Sequence, residues 1–254
     1  MTPTAIGICI LDSCYHRLMN NIMEKRLAVA NDLREAEKYG ESAKAYTECL
    51  IDLVRSDDPV GLIHCLGGQS LIYKNLLTTI DSPVYHYLVV SFAKEALEIA
   101  EAHKEKLDGR TISIAYSVYG DALLTNGETG EALPYFEKSL AVSTAEAPEK
   151  GRLKAHIGGI QYLLGEKQKG IATINEALAD IRTGDMKNSI IRTWETGALN
   201  GLAKIYALEG KKDMALDHAD QSLKISVYHN LPIRKRQAEK IIEKINFGLT
   251  DFSI

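Results

Sequence analysis

Asn126–Leu140 reads NGETGEALPYFEKSL, and this stretch decides how the rest of the chain is read. Asn126-Gly127 is a chain-reversing dipeptide. Thr129 is placed to cap a helix start through its hydroxyl. From Gly130 onward, Ala132, Phe136, Ser139 and Leu140 recur at three- and four-residue steps, which gathers them on one helical face. An apolar stripe alone would not have to alternate small and large side chains. A helix held close to a neighbour at fixed points would, because helices approach to about 8–10 Å only where one contributes little side chain.

The pattern recurs along the chain. CLIDL at Cys49, ALEIA at Ala96, SLAVS at Ser139, ALADI at Ala177 and SLKIS at Ser222 each put a small residue before leucine in an amphipathic segment. Upstream of each lies a second predicted helix with its own small residue: Ala30, Gly67, Gly120, Gly158 and Ala203. Polar turns KYGES, TNGET, LGEKQ and LEGKK separate the two helices in four of the units. A third small residue opens the second helix in those units: Ser42, Ala132, Gly170 and Ala215. Successive first-helix small residues are 37, 53, 38 and 45 residues apart. The second unit is irregular, with TTIDSPVYHY inserted and Ser82-Pro83 as a helix start.

This arrangement resembles the tetratricopeptide repeat, a helix–turn–helix unit of about 34 residues. In the unit from Ser113 to Glu146, the small positions of the family are held by Gly120, Ala132 and Ser139, and the bulky ones by Tyr116, Tyr119, Leu123 and Phe136. The long spacing resembles that of long-unit members such as kinesin light chain or the bacterial peptide-sensing regulators more than that of the short chaperone-binding ones. The resemblance implies an all-α, right-handed α-solenoid of about five hairpins in one superhelical domain. Its expected parts are an N-terminal segment (1–22), repeats over 23–56, 60–106, 113–146, 151–184 and 196–229, and a capping helix over 232–247. One hairpin cannot bury its apolar face alone, so neighbours must stack and the ends need caps. In the C-terminal helix, Arg234, Lys235, Arg236, Lys240 and Lys244 are expected to solvate the outer face.

Composition narrows the function. The formal net charge is −4, against the basic surplus of a nucleic-acid binder. No apolar run reaches the roughly 18–20 residues of a membrane span. The apolar stretch Ala5–Leu11 lacks a preceding Lys or Arg and makes a poor signal peptide; it is expected to pack on the first repeat. Cys9, Cys14, Cys49 and Cys65 form no C-x-x-C pair, which points to reduced thiols and a cytoplasmic location. The histidines form no H-x-x-x-H or H-E-x-x-H pair, so no metal is expected. LGGQS and IGGIQ lack the Gly-Lys-Ser/Thr of a phosphate loop, no G-x-S-x-G elbow occurs, and no cofactor or catalytic set is expected.

The resemblance places groove-facing side chains on the first helix of each unit. The residues expected to bind a protein or an extended peptide are Asn31, Arg34, His64, Asp121, Thr125, Arg152, Tyr162, Asn200 and Lys204. An amide both donates and accepts, so asparagines there suit a peptide backbone. The two-carboxylate clamp of chaperone-tail-binding members is absent: Asn31 is present, but Leu27, Cys65, Ile114 and Val118 hold its other places. The expected function is a non-catalytic binding scaffold, with self-association compatible. Alternatives are a peptide-responsive sensor acting through a separate partner, and an assembly subunit or an enzyme with an unfamiliar site.

Overall fold

The structure, a computed structural model, describes residues 22–252. The N-terminal apolar segment, with Cys9 and Cys14, lies outside the described residues. Among those described, the chain is helical throughout, with no strand. The helices are α1 (residues 22–35), α2 (Tyr39–Leu53), α3 (Pro59–Leu76), α4 (Pro83–Ala102), α5 (Gly109–Thr125), α6 (Thr129–Val142), α7 (Ala147–Leu163), α8 (Lys167–Ile181), α9 (Ser189–Leu208), α10 (Lys212–Tyr228) and α11 (Pro232–Asn246). They pair in chain order as antiparallel hairpins, and each hairpin packs on the next.

Four of the hairpin turns are built alike. After α5, Gly127 takes φ +83°; its N–H donates to Leu124 O, and Glu128 N–H donates to Leu123 O. These two bonds satisfy carbonyls left unpaired at the helix end. The turns after α7 and α9 repeat them around Gly165 and Gly210. After α1 the left-handed position belongs to Glu37, at φ +60°. Its carboxylate pairs with Arg236 of α11, joining the first turn to the last helix. Thr129 is not a cap: α6 begins at Thr129 itself, and the preceding Glu128 makes no side-chain cap bond. Side-chain caps do start three first helices, through Asp58 on α3, Asp108 on α5 and Asn188 on α9.

Small residues set the helix-to-helix distance. In α7–α8, a Cβ on Gly158 would lie 2.7 Å from Gly170 O, and one on Gly170 would lie 2.5 Å from Gly158 O. In α5–α6, a Cβ on Gly120 would meet the Phe136 ring at 2.8 Å. In α1–α2, Ser42 Oγ donates to Ala30 O at 2.7 Å. In α9–α10, Ala203 and Ala215 are both buried in the same apolar cluster.

The second hairpin departs from this scheme. Ser70 Oγ donates to Val89 O at 2.9 Å across α3–α4, joining residues 19 apart where Ser42 and Ala30 are 12 apart. Ser70, not Gly67, therefore takes the place of Ala30 and Gly120. Gly67 faces Val118 of α5, and Gly68 leaves room for the Tyr46 ring of α2. The small partners sit on α4 instead, as the buried Ala93, Ala96 and Ala100. The added residues are divided between the loop 77–82 and α4, which runs for 20 residues.

The open C-terminal end is covered by α11, which buries Ile233, Ala238, Ile241 and Ile245. No described helix is long and apolar enough to cross a membrane. Cys49 and Cys65 are buried free thiols.

Candidate functional site

First helices pack on one another along the stack, α3 on α5, α7 on α9 and α9 on α11. The more closely spaced row of a curved stack lies on its inner side, so these helices form the concave face. Between α5 and α7 the bridge is polar: Arg110 pairs with Glu149 at 2.8 Å, and Arg152 Nη2 donates to Ser117 Oγ at 3.3 Å.

Asp121, on α5, meets side chains from both neighbouring first helices. Lys74 of α3 approaches its Oδ1 to 3.0 Å, and His156 of α7 to 3.6 Å. Burial disfavours the Asp121 carboxylate, but Lys74, His156 and Arg152 outweigh it and hold its pKa at about 2. Burial also takes the His156 ring down to about 4, with Asp121 only partly opposing, so the ring is neutral at pH 7. That ring stacks on Phe136, centroids 4.8 Å apart.

Asn200 lies one helical turn before Lys204 on α9. It is 4% exposed, and neither its Oδ1 nor its Nδ2 has a hydrogen-bond partner. A buried amide without partners forgoes roughly 1–3 kcal/mol, so such groups are uncommon in folded chains. Burial, then Arg234 and Lys74, depress the Lys204 ammonium to about 8. Arg234 of α11 lies against Gly197, where a Cβ would be 3.7 Å from the guanidinium. Gly197 thus admits the arginine to this face, and Arg234 does not solvate the outer side of α11 as expected. Arg236 is likewise engaged, with Glu37.

The expected site residues divide into groups. Asp121, Arg152, Asn200 and Lys204 come together on the concave face. Thr125 is next to them, its Oγ1 donating to Asp121 O at 2.8 Å. Asn31 and Arg34 lie at the first hairpin, where the Tyr46 hydroxyl donates to Asn31 Oδ1 at 2.6 Å and accepts from Arg34 Nη1 at 3.2 Å. His64, also on α3, has an exposed side chain with Arg110, Asp108, Asp58 and Glu149 as its charged neighbours. Tyr162 is buried, and its hydroxyl donates to Glu209 at the end of α9. It ties two hairpins together and presents little surface to a ligand.

Lys74 and Arg234 are not among the residues expected here. Lys74 escapes a reading in which Gly67 is the small residue of α3; Ser70 in that role moves every groove position on by three and brings Lys74 inward. Arg234 is hidden in a basic run that resembles an ordinary solvated helix. Among the described residues, no group of three or more His, Cys, Asp or Glu side chains converges as a metal site.

No protein-family model matches the sequence. No curated protein matches it either. The likeness is to solved structures. A Rap protein in complex with competence and sporulation factor superposes with a TM-score of 0.67 at 16% identity, over 87% of this chain. This chain spans 61% of that protein's length. A kinesin-light-chain-like set of nearly identical TPR-like repeats from Podospora anserina gives 0.53 at 12% identity, covering 82% of this chain and 96% of that one. A thermophilic TPR protein of Thermus thermophilus gives 0.54 at 20% identity, covering 87% and 99%. The fold is therefore an all-α solenoid of tetratricopeptide-like hairpins.

Proposed function

We propose that the chain is a non-catalytic scaffold that binds a protein segment or extended peptide on its concave face. The observation that carries this reading is Asn200, an amide held at 4% exposure on that face with both polar atoms unpaired. A peptide backbone supplies the acceptor and the donor that such an amide lacks. Helical solenoids use their concave surfaces in this way, since stacking leaves a long curved wall of outward-pointing first-helix side chains. The likeness to a Rap protein complexed with a factor is consistent with that use. The test is affinity selection from a random heptapeptide library. The wild-type chain is expected to retain peptides, and the combined Asn31→Ala, Arg152→Ala and Asn200→Ala variant to lose them with its helicity unchanged. Full retention by that variant would put the site elsewhere.

A second reading, a sensor acting through a separate partner, draws on the Glu37–Arg236 pair. That contact joins the first turn to the last helix. A ligand that moved α11 would break it, and small-angle scattering with and without selected peptide would show an opening of the superhelix. Unchanged scattering with bound peptide contradicts the sensor reading and leaves the scaffold.

A further inference from the structure

The chain as a whole is acidic, with formal net charge −4, yet its concave face gathers cations. Lys74, Arg152, Lys204 and Arg234 come from four different helices, and each feels at least one of the others electrostatically. The carboxylates opposing them are Asp121, already in contact with Lys74, and Glu149 beside Arg152, already paired with Arg110. Glu35, at one end of the face, is engaged by Arg34 at 2.9 Å. Arg152 and Arg234 direct side-chain hydrogen bonds to neutral groups, Ser117 Oγ at 3.3 Å and Gln237 Oε1 at 2.9 Å. Beyond them, Lys244 is felt by Lys204 but is itself paired with Asp251 at 3.0 Å.

Bringing like charges together on a concave, partly dehydrated surface is unfavourable unless something else compensates. Hairpin packing does not require it. The apolar clusters of α7–α11 and the small residues of α7–α8 are complete without these side chains. The unpaired Asn200 amide stands on α9 between Gly197, which admits Arg234, and Lys204. Its Nδ2 is a neutral donor on the same face of α9 as Lys204 and as the glycine that admits Arg234. Guanidinium groups bind planar oxyanions through paired N–H donors, and an amide N–H adds a third direction.

We propose that the concave face receives an acidic peptide, with a carboxylate seated among Arg152, Lys204 and Arg234 and hydrogen-bonded by the Asn200 amide. Lys74 stays with Asp121 and sets the positive field at the neighbouring edge. The inference rests on the groove reading above and adds the chemistry of its ligand. It uses side chains other than those of the chaperone-tail clamp, whose places, Asn31 apart, hold no asparagine, lysine or arginine here.

The test uses the full chain and labelled heptapeptide libraries with a fixed central residue, read by fluorescence anisotropy at low and high salt. One library carries Glu, one Gln, one Lys and one phosphoserine, all with amidated C-termini. A further Gln library keeps its free C-terminal carboxylate, which separates a terminal from a side-chain source of the charge. The Glu library or the free-terminus library is expected to bind about tenfold more tightly than amidated Gln, a difference near 1.4 kcal/mol. That preference should shrink at high salt. Arg152→Gln and Arg234→Gln should each remove most of the preference of the carboxylate libraries over amidated Gln. Thermal melts check that both variants fold.

Equal binding of Glu, Gln and Lys libraries overturns the acidic specificity. If that binding is still lost with Asn200→Ala, the groove reading survives alone. Preference for phosphoserine over both carboxylate libraries overturns the carboxylate in favour of a phosphopeptide. Absence of binding by every library overturns the groove reading together with this inference.

Discussion

Hairpins α7–α8 and α3–α4 solve one packing problem in opposite ways. In α7–α8 each helix contributes a glycine, Gly158 and Gly170, and the backbones meet there. In α3–α4 the narrow side belongs to α4, through Ala93, Ala96 and Ala100, while α3 brings Ile63 and Leu66. The glycines of α3 serve its outside neighbours, Tyr46 and Val118. A small residue in a repeat therefore marks a close approach, but not which helix approaches. That ambiguity moves the groove register of α3 by three residues and adds Lys74 to the groove positions.

The largest expected effect comes from breaking the tighter hairpin. In Gly158→Ala, the new Cβ would lie 2.7 Å from Gly170 O and 3.0 Å from Ile174 N, both backbone atoms that cannot rotate away. A loss of about 1–3 kcal/mol is expected from such overpacking, read as a lower urea midpoint. Unchanged stability would mean that α7 and α8 are farther apart than described.

His156 sharpens the comparison from the side of charge. Its folded pKa of about 4 lies below the ordinary 6.5, so the unfolded chain binds more protons between those values. Stability should therefore fall as the pH drops through that window, and it should be recovered above 6.5. His156→Phe keeps an aromatic ring against Phe136 and should flatten this limb of the stability–pH curve. An undiminished limb in the variant would assign it to other groups.

A third change should act in the opposite direction from the first. In Gly67→Ala, the nearest atom to the Cβ is a Val118 methyl at 3.3 Å, at the tip of a side chain. Alanine favours the helix over glycine by about 1 kcal/mol, so the variant should be neutral or stabilised by up to that amount. Equal destabilisation by Gly67→Ala and Gly158→Ala would restore the equivalence that the structure denies.

The smallest effect belongs to the contact between the two ends. A double-mutant cycle on Glu37→Gln and Arg236→Gln should give a coupling of about 0.2–1 kcal/mol, as for a partly exposed ion pair. A coupling of zero would leave Glu37 without a reason to occupy a left-handed position that three sister turns give to glycine.

Much of this architecture is legible in the sequence because its causes are local. Gly127, Gly165 and Gly210 announce the turns, and Ala132, Gly170 and Ser139 announce the contacts, at fixed spacing from them. Residues 77–82 carry no such signal, and there the register is lost. Ile80 N–H donates to Leu76 O and continues the helical pattern, in place of the paired bonds around a left-handed residue. The candidate site is legible where a regular hairpin carries it, at Asp121, Arg152, Asn200 and Lys204. Lys74 depends on the irregular register. Arg234 depends on Gly197, 37 residues earlier in the chain, and on the curvature that brings α11 inward. Tyr162 occupies a groove position by count, but Glu209 draws its hydroxyl to the hairpin end.

The most direct test compares Lys74→Gln with Lys94→Gln, on the second helix of the same hairpin, for affinity to peptides selected on the wild-type chain. The inward position of Lys74 predicts that Lys74→Gln weakens binding about tenfold, a change near 1.4 kcal/mol, and that the exposed Lys94 is replaced without effect. Loss with Lys94→Gln and none with Lys74→Gln would contradict it.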